Sequence, residues 1–262
     1  MRTKSIRIIT VIWLVGFAFS AEATEDFLIP GVDFSKLDLR EGAWCRYLVI
    51  DEALGQVDST EIYVGVPEAV TTVEGPAFWI ELSSTVLGAG IEGTEVLKLL
   101  VLERITRFSE GDSLGDYVLK LYIRRGARPA EEEDPKEYED FSMIVPTADS
   151  TWVTSPGVPV STKGGEFTCT KKTRSVQSER EIPTGKIKLV KRARDGYTVW
   201  FCSEIPVFRM AKCVIERMRE TETIPRITGI PAPGKKESKT AAELTGYGFD
   251  AKPILSIDDS NR

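Results

Sequence analysis

The chain has 262 residues, 34 Lys and Arg against 40 Asp and Glu, a net charge of −6 and no histidine. An acidic chain is repelled by nucleic acid and by anionic lipid surfaces, so neither is an expected partner. Without imidazole the commonest general base and metal ligand are missing, and every Ser-His-Asp, Cys-His and His-zinc arrangement is excluded.

The N-terminus reads as a secretory leader. Arg2, Lys4 and Arg7 make a basic start, residues 8–19 are apolar apart from Thr10, and Ala21-Glu22-Ala23 places small residues at the −3 and −1 positions of a cleavage site. The apolar run falls short of the ~20 residues that span a bilayer. Residues 1–23 are therefore expected to be cleaved, leaving no membrane span. No cysteine follows closely enough to carry a lipid. The remaining chain of about 240 residues, with a net charge of about −8, is expected outside the cytoplasm, in the periplasm or otherwise exported. A single domain over 24–255 with a frayed polar tail at 256–262 is the expected layout.

Most of the mature chain reads as short runs of β-branched and aromatic residues between turn signals. Residues 44–50 form the first run, closed by Asp51-Glu52 and Gly55, and 60–66 the second, ended by Pro67. Residues 78–82 alternate Phe78, Ile80 and Leu82 against Trp79 and Glu81, as a sheet with one buried face requires. The run 96–102 is nearly all apolar. Thr94 could cap a helix over 95–107, but strands on both sides favour a strand. Residues 117–123 alternate again. Residues 128–140 are acidic and lack the Asp-x-Asp-x-Asp-Gly spacing that surrounds calcium, so a solvated loop insertion is expected and no metal. Further strands are expected at 166–176 and 186–192. Asp195-Gly196 then signals a hairpin turn before Tyr197-Thr198-Val199-Trp200. Residues 207–220 suit a strand or a helix equally, and 224–239, rich in Pro, Gly and Lys, should form a loop.

Cys45, Cys169, Cys202 and Cys213 all lie in the mature chain. An even count in an exported protein favours disulfides, and no Cys-x-x-Cys supports zinc or redox chemistry. Three pairings are open, as two bridges or as one bridge with two buried thiols.

Three segments carry a resemblance when read together. Gly165-Glu166-Phe167-Thr168-Cys169 resembles the Gly-x-Phe-x-Cys strand of a group of bacterial exported proteins. Val199-Trp200-Phe201-Cys202-Ser203-Glu204-Ile205-Pro206-Val207 is similar to that group's Val-Trp-x-Ser-x-x-Ile-Pro-Val. Glu243-Leu244-Thr245-Gly246-Tyr247-Gly248-Phe249-Asp250-Ala251-Lys252 looks like its closing segment, and Lys98-Leu99-Leu100-Val101 and Gly126-Ala127-Arg128-Pro129-Ala130 also suit it. The fold of these envelope proteins resembles the periplasmic lipoprotein carriers LolA and LolB. The resemblance implies a mainly β protein, a strongly curved antiparallel sheet or incomplete β-barrel with minor helical segments in its concave side. It departs from the carriers in its acidic insertion and its cysteines.

Phe167 and Cys169 share one face of a strand, as Trp200 and Cys202 do on another. If those strands are neighbours, Cys169 bridges Cys202 and leaves Cys45 and Cys213 over, subject to Cα atoms within ~7 Å. An incomplete barrel could hold a lipid or lipoprotein acyl chain against Phe78, Ile80, Leu100, Leu121 and Phe167. The expected function is thus an envelope carrier for a lipophilic molecule, with an interaction module for an envelope protein partner, without small-molecule ligand, as the alternative. No enzyme and no cofactor are expected. Glu110, Asp112 and Asp116, or Asp51 and Glu52, would need to face each other across ~5–9.5 Å of cleft, which adjacency in sequence does not supply.

Overall fold

The computed structural model describes residues 37–53, 56–88, 90, 94–107, 114–136, 152–184, 187–224 and 235–256. The expected leader, Glu110, Asp112, the acidic stretch beyond 136 and the tail from 257 lie outside the described residues.

Eleven strands form one antiparallel sheet: β1 (Trp44–Ala53), β2 (Gln56–Thr72), β3 (Gly75–Val86), β4 (Thr94–Leu102), β5 (Val118–Arg125), β6 (Glu131–Glu133), β7 (Val153–Thr162), β8 (Gly165–Thr184), β9 (Ile187–Phe201), β10 (Met210–Ile224) and β11 (Lys236–Gly248). Their spatial order is β6-β5-β4-β3-β2-β1-β11-β10-β9-β8-β7. Every neighbour is also a sequence neighbour except at one seam, where β1 pairs β11 from Trp44↔Gly248 to Ala53↔Ser238. Alternation sets the faces. Cys45, Tyr47 and Val49 of β1 are buried with Ile62 and Val64 of β2 and with Ala242 and Leu244 of β11, while Trp44, Arg46 and Leu48 point the other way. β4 is buried along almost its whole length, so its apolar run is a strand covered on both faces, as its neighbours suggested.

The sheet is strongly curved and open. In a flat sheet, β8 and β11, with two strands between them, would be about 14 Å apart. Instead Gly164 N donates to Leu244 O at 3.0 Å, and the Phe167 and Tyr247 rings lie 5.8 Å apart. A Cβ on Gly164 would fall 3.1 Å from the Leu244 side chain, so the approach depends on that glycine. The curve wraps the link 202–209, where Ile205, Val207 and Phe208 are buried. Expected helices do not fill the concave side; the described residues hold only two short 3-10 turns, Glu103–Arg107 and Leu114–Asp116. Val207 and Arg209 take the left-handed region at φ 64° and 51°, which costs an L-residue roughly 1–2 kcal/mol. Asp38 holds them there, exchanging backbone bonds of 2.9 and 3.2 Å with Val207 and facing Arg209 at 3.7 Å.

The opposite face of β1–β4 is crossed by the segment after β11. Ala251 N donates to Gly42 O at 2.7 Å and Trp44 Nε1 to Asp250 Oδ1 at 2.7 Å. Further on, Lys98 Nζ donates to Leu255 O at 2.9 Å, and Ile254 N donates to a Glu81 carboxylate oxygen. Glu81 and Lys98 are cross-strand partners with side chains 1% and 11% exposed, 3.1 Å apart. That contact is one of charge, since Glu81 Oε1 accepts no aligned hydrogen bond.

Four expectations change. Asp195-Gly196 is no turn: β9 runs through it, with Asp195 paired to Val176 and Arg217. A two-residue hairpin turn of that type needs positive φ at both residues, and neither has it. The chain reverses between Thr184 and Ile187 instead. The acidic stretch forms edge strand β6, whose three glutamates guard the edge against further pairing. The expected loop at 224–239 is narrower, since β10 reaches Ile224 and β11 starts at Lys236, and 207–220 resolves as strand from Met210 onward. β7 was not foreseen. Pro156 and Pro159 argue against a central strand but are tolerated at an edge, where a bulge separates Ser155 from Val158.

Removing one partner of the Glu81–Lys98 pair would strand the other charge in apolar surroundings. Lys98→Met is expected to lower unfolding free energy by about 3–5 kcal/mol, and Glu81→Leu/Lys98→Met to recover most of it, by urea unfolding.

Candidate functional site

None of the five residues expected to line a lipid cavity lines either of the two grooves found among the described residues. Ile80, Leu99 and Leu121 pair in one row across β3, β4 and β5, and Phe78 is partly buried beside them. Ile80 and Leu121 are 7% and 0% exposed within a packed cluster. Phe167 belongs to the same cluster but lies at the far side of the sheet, against Tyr247. Leu100 faces the other way, in a smaller cluster with Ala77 and Leu102. The inner face between these strands is a cluster of buried apolar side chains.

Cys169 and Cys202 form a disulfide with Cα atoms 4.7 Å apart. It ties β8 to the head of the 202–209 link. Cys45 and Cys213 are buried thiols outside any disulfide. Register explains why. Cys213 shares a row with Ala242 and Val49, so Cys45 sits four residues farther along β1, about 13 Å, and two strands across. Burial pushes the Cys45 thiol up to about 12, against smaller opposing bonds from Tyr47 and the Phe208 backbone. Tyr47 is pushed well above its ordinary value by the same burial, and its hydroxyl donates to Met210 O at 2.9 Å.

Two grooves lie on the other face of the second half, opposite Cys213 and Ile215. Antiparallel register stacks that face in rows. Lys171 lies opposite Trp200, Thr173 opposite Thr198 and Val214, and Ser175 opposite Gly196 and Glu216. The last row continues across β11 to Lys239 and into β1 at Glu52. A groove of about 410 Å³ lies over the first rows, and a second of about 700 Å³ shares Ser175, Gly196 and Glu216 with it and extends past Arg194 and Lys239. Gly196 makes the floor: a Cβ there would meet only Glu216 O, at 3.9 Å. Lys171 Nζ stands 5.5 Å from the Trp200 ring centroid. Lys171, Arg174, Arg194 and Lys239 make no ion pair among the described residues, and Arg174 Nε is buried without a hydrogen-bond partner.

These residues escaped sequence reading because the trough exists only once β8, β9, β10 and β11 are paired. Its one visible trace is alternation of small polar residues, Lys171-Thr173-Ser175 and Gly196-Thr198-Trp200. Of the carboxylates weighed for catalysis, Asp51 accepts from Thr240 Oγ1 at 3.0 Å, while its neighbour Glu52 projects from the opposite face into the trough. They share no cleft. Asp116 sits in a 3-10 turn.

Because the folded Cys45 is raised, it favours the folded state below its ordinary value of 9.0 and loses that contribution as pH climbs towards about 12. The urea midpoint should fall over that range, and fall less steeply for Cys45→Ala.

No protein-family profile matches the chain, and no curated protein matches it. Among solved structures it is similar to a candidate exported protein with a YmcC-like fold from Bacteroides fragilis, 11% identical over 81% of this chain and 98% of that one, with a TM-score of 0.35. A candidate lipoprotein from Parabacteroides distasonis is 11% identical over 83% and 99%, with a TM-score of 0.31. A DUF1329 family protein from Desulfovibrio piger is 8% identical over 85% and 89%, with a TM-score of 0.28. Likeness this loose bears on no functional point.

Proposed function

We propose that this chain is an exported protein of the cell envelope that works by holding a partner on the trough face of β8–β11. It does not transform that partner, and it does not carry a lipid inside its curve. The observation that carries this reading is the contrast between the two faces. The concave side is occupied by buried side chains and the 202–209 link, whereas the trough is open and lined by polar and charged residues of both signs, Lys171, Arg194 and Lys239 with Glu52, Glu216 and Glu237. Exposed charges of both signs in an open groove orient a polar surface of complementary pattern. Export is supported by the leader-like residues 1–23 and by the Cys169–Cys202 disulfide, which persists in oxidising compartments.

Native mass spectrometry of the protein purified from its own envelope, followed by organic extraction, tests this. A bound polar partner that dissociates as salt rises is expected, with no stoichiometric lipid. Lipid extracted in proportion to protein would restore the carrier reading.

A further inference from the structure

We infer that the outer edge of β8 from Ser175 to Glu181 takes an extended segment of a partner protein as an added strand, a deepening that rests on the reading above and names the kind of partner. β8 outruns its outer neighbour. β7 pairs with it from Gly165 to Thr173 and stops at Val153, because Trp152 leaves the line of the strand to pack on Tyr197, ring centroids 6.5 Å apart. Beyond Thr173 no described strand lies outside β8, while β9 pairs its inner side as far as Thr184↔Ile187. Residues 175–181 are all exposed, so this edge is open to solvent.

Register sets which way its main chain faces. Hydrogen-bonded pairs alternate along an antiparallel ladder, and a two-residue loop closes on a bonded pair. Counting from Thr184↔Ile187, Ile182, Arg180, Ser178, Val176 and Arg174 bond to β9. Ser175, Gln177, Glu179 and Glu181 therefore aim their N–H and C=O groups outward, in line with the β8 residues that meet β7. Pro183, which has no N–H to offer, falls in the same outward set. Another extended chain supplies acceptors and donors at that two-residue period. The sheet's other edges are blunted, β7 by Pro156, Pro159 and a bulge, β6 by its glutamates and its length of three residues. A second copy is a poor occupant. The side chains that share the trough face along this edge are Ser175, Gln177, Glu179 and Glu181, so two copies would set acid against acid or against a neutral residue. The edge adjoins the trough at Ser175, which lines both grooves, and Val153 and Arg174 line the first groove where β7 ends.

The test uses the full mature chain and the peptide Val-Lys-Glu-Lys-Thr-Thr-Val-Thr-Glu, read by calorimetry and amide hydrogen exchange. Lying antiparallel to β8, it sets its lysines opposite Glu181 and Glu179. N-methylation at its fourth and sixth residues removes N–H groups that would face β8, and at its third and fifth removes N–H groups that would face away. The parent and the third-and-fifth form are expected to bind and to protect the amides of 175–181, and the fourth-and-sixth form to bind roughly tenfold more weakly or worse. Gln177→Pro, which removes an outward N–H and leaves the β9 ladder intact, should weaken the parent by a similar factor with an unchanged unfolding midpoint. No binding of the parent peptide, equal binding of the two methylated forms, or undiminished binding by Gln177→Pro overturns the inference. A dimer of the chain alone that Gln177→Pro dissolves overturns the foreign occupant. Loss of the native envelope partner from Thr198→Arg, which fills the trough, with full retention by Gln177→Pro overturns the edge and leaves the trough's role standing. Full retention by both variants overturns that role as well.

Discussion

The pairing of β1 with β11 is the constraint on which the molecule depends. It joins the two halves of the chain, β1–β6 and β7–β11, through ten residue pairs, and it is the seam made between strands distant in sequence. Every other ladder is a local hairpin or meander. Forming the seam requires closing a loop of nearly the whole domain, the largest loop-closure cost of any ladder in the sheet. Once formed, it places the chain's first and last strands mid-sheet, where neither is an edge. The 250–255 strap then becomes possible, because it needs β11 beside β1, and it covers the Lys98–Glu81 pair of the β3–β4 hairpin.

Curvature follows from how the ends of β8–β11 are finished. β9 stops at Phe201 and β10 begins at Met210, so β8 and β11, which run past them at that end, lean together over the link between them. The disulfide fixes the link at one end, and Asp38 with Tyr47 fixes it at the other. Ile205, Val207 and Phe208 of that link are buried inside the curve.

Much of the architecture was legible from residues alone. Alternation in 44–50, 60–66 and 78–82 marks one-sided strands, and the β-rich composition with a curved open sheet holds. Local rules failed where pairing on both sides overrides them. Asp195-Gly196 reads as a turn in isolation, but Val176 and Arg217 flank it in the sheet and hold both residues extended. The same glycine proves to be the trough floor. The lipid-lining residues were chosen for apolarity, which marks core and cavity alike; only the three-dimensional neighbours of Leu121 and Leu100 distinguish them, one in the packed interior and one on the other side of β4. The trough itself is spread over four strands and has no contiguous signal.

Amide hydrogen exchange of the mature chain, alone and with its native envelope partner, tests the central claim most directly. The account predicts added protection over 171–175, 194–200 and 214–218, with the amides of 78–80 and 121 unchanged. Added protection at 78–80 and 121 with none over the trough strands would mean that the partner enters the curve, and would contradict it.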